Sequence, residues 1–146
     1  MSLFSSRSNT DDPGVGAEPP HDFVALLQTA DYRAELTKDS GGDPLIRSST
    51  QGVRFSIWFY SFNDIPSRSL QFFLGLGMNG RGNLANINAW NMEHRWARAA
   101  LDKDGDPELR MDVAYGTGMS ARTFIFLLER WDRLVGQFLM HVGWNS

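Results

Sequence analysis

Apolar positions recur with two different periods along this chain, and the switches between them mark out its elements. From His21, the residues Phe23, Leu26, Leu27 and Ala30 return at helical spacing, with Asp22 favourable at the positive helix start, which predicts a short docking helix. Strand-like alternation follows in Tyr32, Ala34 and Leu36, then the turn DSGGDP, a strand over residues 45–50 and a further turn at Gln51-Gly52. The run VRFSIWFYS places Val53, Phe55, Ile57 and Phe59 on one face and Trp58 and Tyr60 on the other, so neither face is simply polar. After a loop expected over residues 63–68, Leu70, Phe72, Leu74, Leu76 and Met78 alternate with Gln71, Phe73, Gly75 and Gly77 as a second long strand.

Asn83 is a suitable cap for a middle helix whose inner stripe is expected to be Ala85, Ala89, Met92 and Trp96, with Leu84 and Ile87 beside it. Residues 96–102 and 108–115 read as a hairpin. Ser120 then caps a last helix carrying Phe124, Leu127, Leu128, Trp131, Leu134, Val135, Phe138 and Val142, a stripe wider than one sheet contact requires. The order of one helix, three to four strands, helix, two strands, helix, with short links, predicts an α+β two-layer sandwich: an antiparallel sheet carrying its helices on one face. Residues 1–20 hold few apolar positions at any period and read as a flexible tail before a single domain over 21–146, the alternative being that Leu3 and Phe4 dock on the domain or on a neighbour.

Composition narrows the function classes. With 42% hydrophobic and 21% charged residues, ten Phe and five Trp, the 146-residue chain can bury a sizeable core. A net charge of −3 argues against nucleic acid as a partner, since nonspecific capture needs clustered cations to displace counterions from phosphates. The absence of cysteine excludes disulfides, thiol catalysis and thiolate metal sites and fits the cytoplasm. Neither a secretory signal nor an apolar run of about 20 residues is present, so a membrane partner is not expected.

No chemical motif survives a check of its neighbours. Asp102, Asp104 and Asp106 have the spacing of the first three calcium ligands of an EF-hand loop, but Pro107 stands where Gly is needed and Val113 where the bidentate Glu belongs, so hairpin-turn chemistry is the better reading. Gly75, Gly77, Gly80 and Gly82 lack the Lys and the spacing of a phosphate cradle. His21, His94 and His141 form no metal or triad pattern, and Ser69 and Ser120 have no nucleophile-elbow context. No catalytic, cofactor or metal residue is expected.

The phrase INAWN at Ile87 to Asn91, extended through Arg95, Ala97 and Asp102, together with the overall element order, resembles the YbjN family over about residues 22–144. That family is described as bacterial sensory-transduction regulators, and the resemblance implies the fold of type III secretion chaperones and a role in binding other proteins. Asn88 and Asn91, three apart on one helix face, are suited to hydrogen-bond either a neighbouring strand or a partner peptide. Trp58, Tyr60, Phe73, Asn88 and Asn91 are therefore the candidate partner-binding residues. The surplus apolar surface predicts a homodimer that receives a protein or peptide client. A small-ligand sensor with an enclosed apolar cavity is the competing reading, and an enzyme assembled only in the tertiary structure is the third.

Overall fold

A computed structural model describes residues 14–16, 19–62 and 65–145. The elements are α1 (Pro19–Thr29), β1 (Glu35–Lys38), β2 (Pro44–Thr50), β3 (Val53–Phe62), β4 (Ile65–Gly75), α2 (Leu84–Glu93), β5 (Arg98–Leu101), β6 (Pro107–Ala114) and α3 (Ala121–Val142). All six strands join one antiparallel sheet in the order β1-β2-β3-β4-β6-β5. The first four strands form a meander of hairpins. Next, α2 carries the chain over to the far edge, where β5 lies parallel to β4 with β6 inserted between them.

The helices cover a single face. Ile57 lies opposite Phe72, and Phe72 opposite Met111, so the alternation on β3, β4 and β6 places one apolar row under the helices. Phe72 packs its ring 5.4 Å from that of Trp131 on α3, and Phe23 of α1 stands 4.8 Å from Phe124 and 5.8 Å from Phe59. Phe72, Trp131, Phe23 and Phe124 are fully buried. The stripe of α3 is wide because it meets the sheet together with α1 and α2; Phe124, Leu128, Trp131, Leu134, Val135 and Phe138 are all buried within one protomer. Leu127 and Val142, the other members of the expected stripe, are half-buried, and Phe126 lies exposed off it.

Both expected N-caps are present: Asn86 N donates to Asn83 Oδ1 at 2.9 Å and Thr123 N to Ser120 Oγ at 3.1 Å. Other expectations need correction. The helix α2 buries Ile87 and Trp90, whereas Leu84 and Met92 are 71% and 79% exposed and Trp96 lies beyond the helix end at Glu93. A helix of ten residues has room for one large anchor, and the indole of Trp90, 5.0 Å from the Phe138 ring, fixes the rotation that the smaller alanines cannot.

Strand β4 begins at Ile65, inside the expected loop, although Pro66 follows immediately. Pairing with β6 starts only at Ser69, so the missing proline N–H costs no ladder bond on that side. At the N-terminus, Val15 is buried and its N–H donates to Met119 O at 2.8 Å, and α1 starts at Pro19. Leu3 and Phe4 lie outside the described residues.

Candidate binding face

The pleat that sends Phe55, Ile57 and Phe59 under the helices sends Trp58 and Tyr60 to the opposite face of the sheet, away from all the described helices. Trp58 is half-buried there, opposite Leu45 on β2 and Gln71 on β4. Tyr60, opposite Ser69, is 46% exposed. Phe73, opposite Ser56 and Arg110, is half-buried beneath the Arg110 guanidinium, whose carbon lies 4.8 Å from the ring centroid. Arg110 is a cation over an aromatic face, an arrangement that shields the ring without removing it from solvent.

Across β4, β6 and β5 the same face changes character. Gln71, only 5% exposed, donates from Nε2 to Asp112 Oδ1 at 2.7 Å and accepts from Arg110 at 3.3 Å. Arg98 pairs with Asp112, and Arg110 pairs with Glu108 at 3.0 Å. Partial burial opposes ionisation of Asp112, but hydrogen bonds from Arg98 and Gln71 outweigh it and hold the carboxyl below its ordinary value. This polar lattice could not be read from the sequence, because its members belong to three strands and meet only through register. The one available signal was that Gln71 and Asp112 each occupy an outward position in an alternating strand.

The five candidate residues do not form one site. Trp58, Tyr60 and Phe73 share the open face, whereas α2 lies on the other side of the sheet. Asn91 is committed within the chain: its Oδ1 accepts from Ala99 N at 2.8 Å and its Nδ2 donates to Ala99 O at 3.0 Å. Ala99 sits on the edge strand β5, and its backbone groups point away from β6, so this two-point clamp closes the sheet edge at that residue. Asn88 is exposed on α2, its amide 3.7 Å from Met92 Sδ.

The remaining motifs are occupied by backbone. Asp102 Oδ1 accepts from the N–H groups of Asp104 and Asp106 at 2.8 and 2.9 Å, and Asp106 Oδ1 accepts from those of Met78 and Gly80 at 3.0 and 2.8 Å. These carboxylates hold two turns together. Gly82 is required there: its N–H donates to Gly105 O at 2.9 Å, and a Cβ would lie 2.5 Å from that same oxygen. His94 stacks on Trp90 at 3.6 Å and His141 Nε2 lies 2.7 Å from Asn86 O, both bound to helix backbone or ring. Among the described residues, no group of three or more His, Asp or Glu gathers as a metal site. Tyr32, Gln51 and Asp132 form a separate tie in which Asp132 accepts from Tyr32 at 2.5 Å and Gln51 at 2.7 Å, fastening the β2–β3 turn to α3. Burial, then the Asp132 bond, pushes the Tyr32 hydroxyl above its ordinary value.

Fold and site together define a two-layer α+β protein whose second sheet face bears aromatics and, among the described residues, carries no helix. The chain belongs to the YbjN family, described as "Putative bacterial sensory transduction regulator", whose profile matches residues 21–144. No curated protein matches the chain. Among the described residues, no helix is long and apolar enough to cross a membrane.

Proposed function

We propose that the protein is a non-enzymatic regulatory adaptor of the bacterial cytoplasm that binds other protein chains through the outer face of its sheet. A second copy is the first partner and a protein or peptide client the second. The observation that supports this reading is that Trp58, Tyr60 and Phe73 share the sheet face over which, among the described residues, no helix lies. Covering a Trp or Tyr side chain yields roughly 1.5–3 kcal/mol, and the polar tips of both suit a rim that stays wet. The family description as a regulator supports the same reading.

Light scattering at micromolar concentration tests it. The expected mass is twice 16.5 kDa. Tyr60→Ala and Trp58→Ala should each weaken association by more than about 1 kcal/mol while leaving the far-UV spectrum of the chain intact. A monomer mass at every accessible concentration would remove the homodimer. Unchanged self-association and unchanged client capture in both variants would remove the face itself.

A further inference from the structure

On the helical layer, far from the open sheet face, a second surface combines features that structural packing alone does not require. Trp96, between α2 and β5, has φ +81°, the left-handed region that suits glycine and strains a bulky residue by an order of 1–3 kcal/mol. This backbone turns the indole outward rather than into the core, so that Trp96 is 49% exposed. Beside it stands Phe126, 51% exposed on the solvent side of α3 and off the buried stripe, its ring edge-on at 6.4 Å. Two guanidinium groups complete the patch: Arg95 lies 5.5 Å from the Trp96 ring, and Arg130 lies 5.7 Å from Trp96 and 5.8 Å from Phe126.

The electrostatics point one way. Among the described residues, neither Arg95, Arg130 nor Arg133 has an ion-pair partner. Among the described residues the Nε of Arg130 is buried with no hydrogen-bond partner, as are the Ser48 hydroxyl and the indole N–H groups of Trp131 and Trp144, but of these four only Arg130 carries a charge. Phe126, Arg130 and Arg133 line a depression of about 140 Å³ with Glu129 as its one carboxylate. The patch is thus locally cationic on a chain whose net charge is −3.

We propose that the Trp96–Phe126 patch is a second docking surface, and that its occupant is a segment of a partner protein in which a carboxylate side chain stands next to an apolar one. The carboxylate meets Arg130 and Arg95, and the apolar side chain covers the two half-exposed rings. A second copy of the chain fits poorly, since a two-fold contact through this patch sets arginine against arginine. Nucleic acid fits poorly as well, because two or three cations on an acidic chain release few counterions.

The test is an anisotropy titration of the full-length protein with a dye-labelled peptide of alternating Glu and Phe, beside its Gln-Phe and Glu-Ser counterparts. The Glu-Phe peptide should bind saturably and about tenfold tighter than either counterpart, and Arg130→Gln should weaken it about tenfold, the loss expected when one central contact is removed. Trp96→Gly should weaken it equally while melting at or above the wild-type temperature, because glycine relieves the backbone strain. Arg54→Gln, which removes an equal charge from an exposed strand position, should leave binding unchanged. The proposal is overturned if the Glu-Phe and Gln-Phe peptides bind alike, if Arg130→Gln binds as well as wild type, or if Arg54→Gln weakens binding as much as Arg130→Gln. It is also overturned if binding appears only after residues 1–13 are deleted, since Asp11 and Asp12 of the chain itself would then be the occupants.

Discussion

Phe72 and Phe73 are neighbours of identical chemistry on β4, and they lead different lives. Phe72 lies in the fully buried row, ringed by Phe55, Phe124 and Trp131. Phe73, one pleat away, is half-buried on the opposite face, between Ser56 and Arg110 in register and beneath the Arg110 guanidinium. The difference teaches that in this sheet a residue type says little until its parity is known: one face is covered by the three described helices, and over the other, among the described residues, no helix lies.

The comparison can be broken most severely at Phe72. Phe72→Ala should cost about 3–5 kcal/mol of stability in chemical denaturation, since an aromatic ring leaves a cavity that the surrounding rings cannot fill. Asn91→Ala comes next, with a loss of about 1–3 kcal/mol, because the N–H and C=O of Ala99 lose both partners at the place where the helical layer reaches the sheet rim. Hydrogen exchange at Ala99 should rise in that variant; protection equal to wild type would mean the clamp is not what closes the edge. Phe73→Ala should cost no more than about 1 kcal/mol, and a cost matching Phe72→Ala would show that the outer face is a core in its own right.

The smallest effect sharpens the account of the polar half. Asp112 has a depressed native carboxyl, so its contribution to stability is fully present above the ordinary value near 3.8 and is lost as pH falls through the depressed one. Asp132, against which burial also works while bonds from Tyr32 and Gln51 prevail, contributes in the same acid window. Thermal melts from pH 6 down to pH 2 should therefore fall less steeply for Asp112→Asn than for wild type, and a parallel decline would show that the lattice with Arg98 and Gln71 contributes nothing to stability.

Much of the inner layer was legible in the sequence. The α3 stripe spans six turns and repeats strongly, and Asn83 and Ser120 carry their capping chemistry in the residue itself, so element order and fold class followed. The α2 register was not legible: ten residues give too few repeats to separate a stripe of alanines and Met92 from the true anchors Ile87 and Trp90. The outer face was legible by parity for Trp58, Tyr60 and Phe73, but not for the Gln71, Asp112, Arg98 and Arg110 lattice, which exists only once strands distant in sequence are in register. Trp96 escaped for a different reason. Nothing in the local pattern announces a tryptophan in a glycine-like conformation, and apolar spacing alone runs on to Trp96 past the true helix end at Glu93.

The insertion of β6 between β4 and β5 has a consequence for the order in which the protein folds. The innermost pair of the β5–β6 hairpin, Leu101 and Pro107, is six residues apart in sequence, whereas the innermost β4–β6 pair, Gly75 and Glu108, is 33 residues apart. By the logarithmic growth of loop entropy, the second closure is costlier by roughly 1.5 kcal/mol. The meander β1–β4 and the β5–β6 hairpin are thus free to form as separate local units, and their joining along β4 and β6 becomes the slow, late event. Substitutions on that seam, such as Met111→Ala, should slow refolding, while substitutions in the β1–β2 hairpin should act chiefly on unfolding.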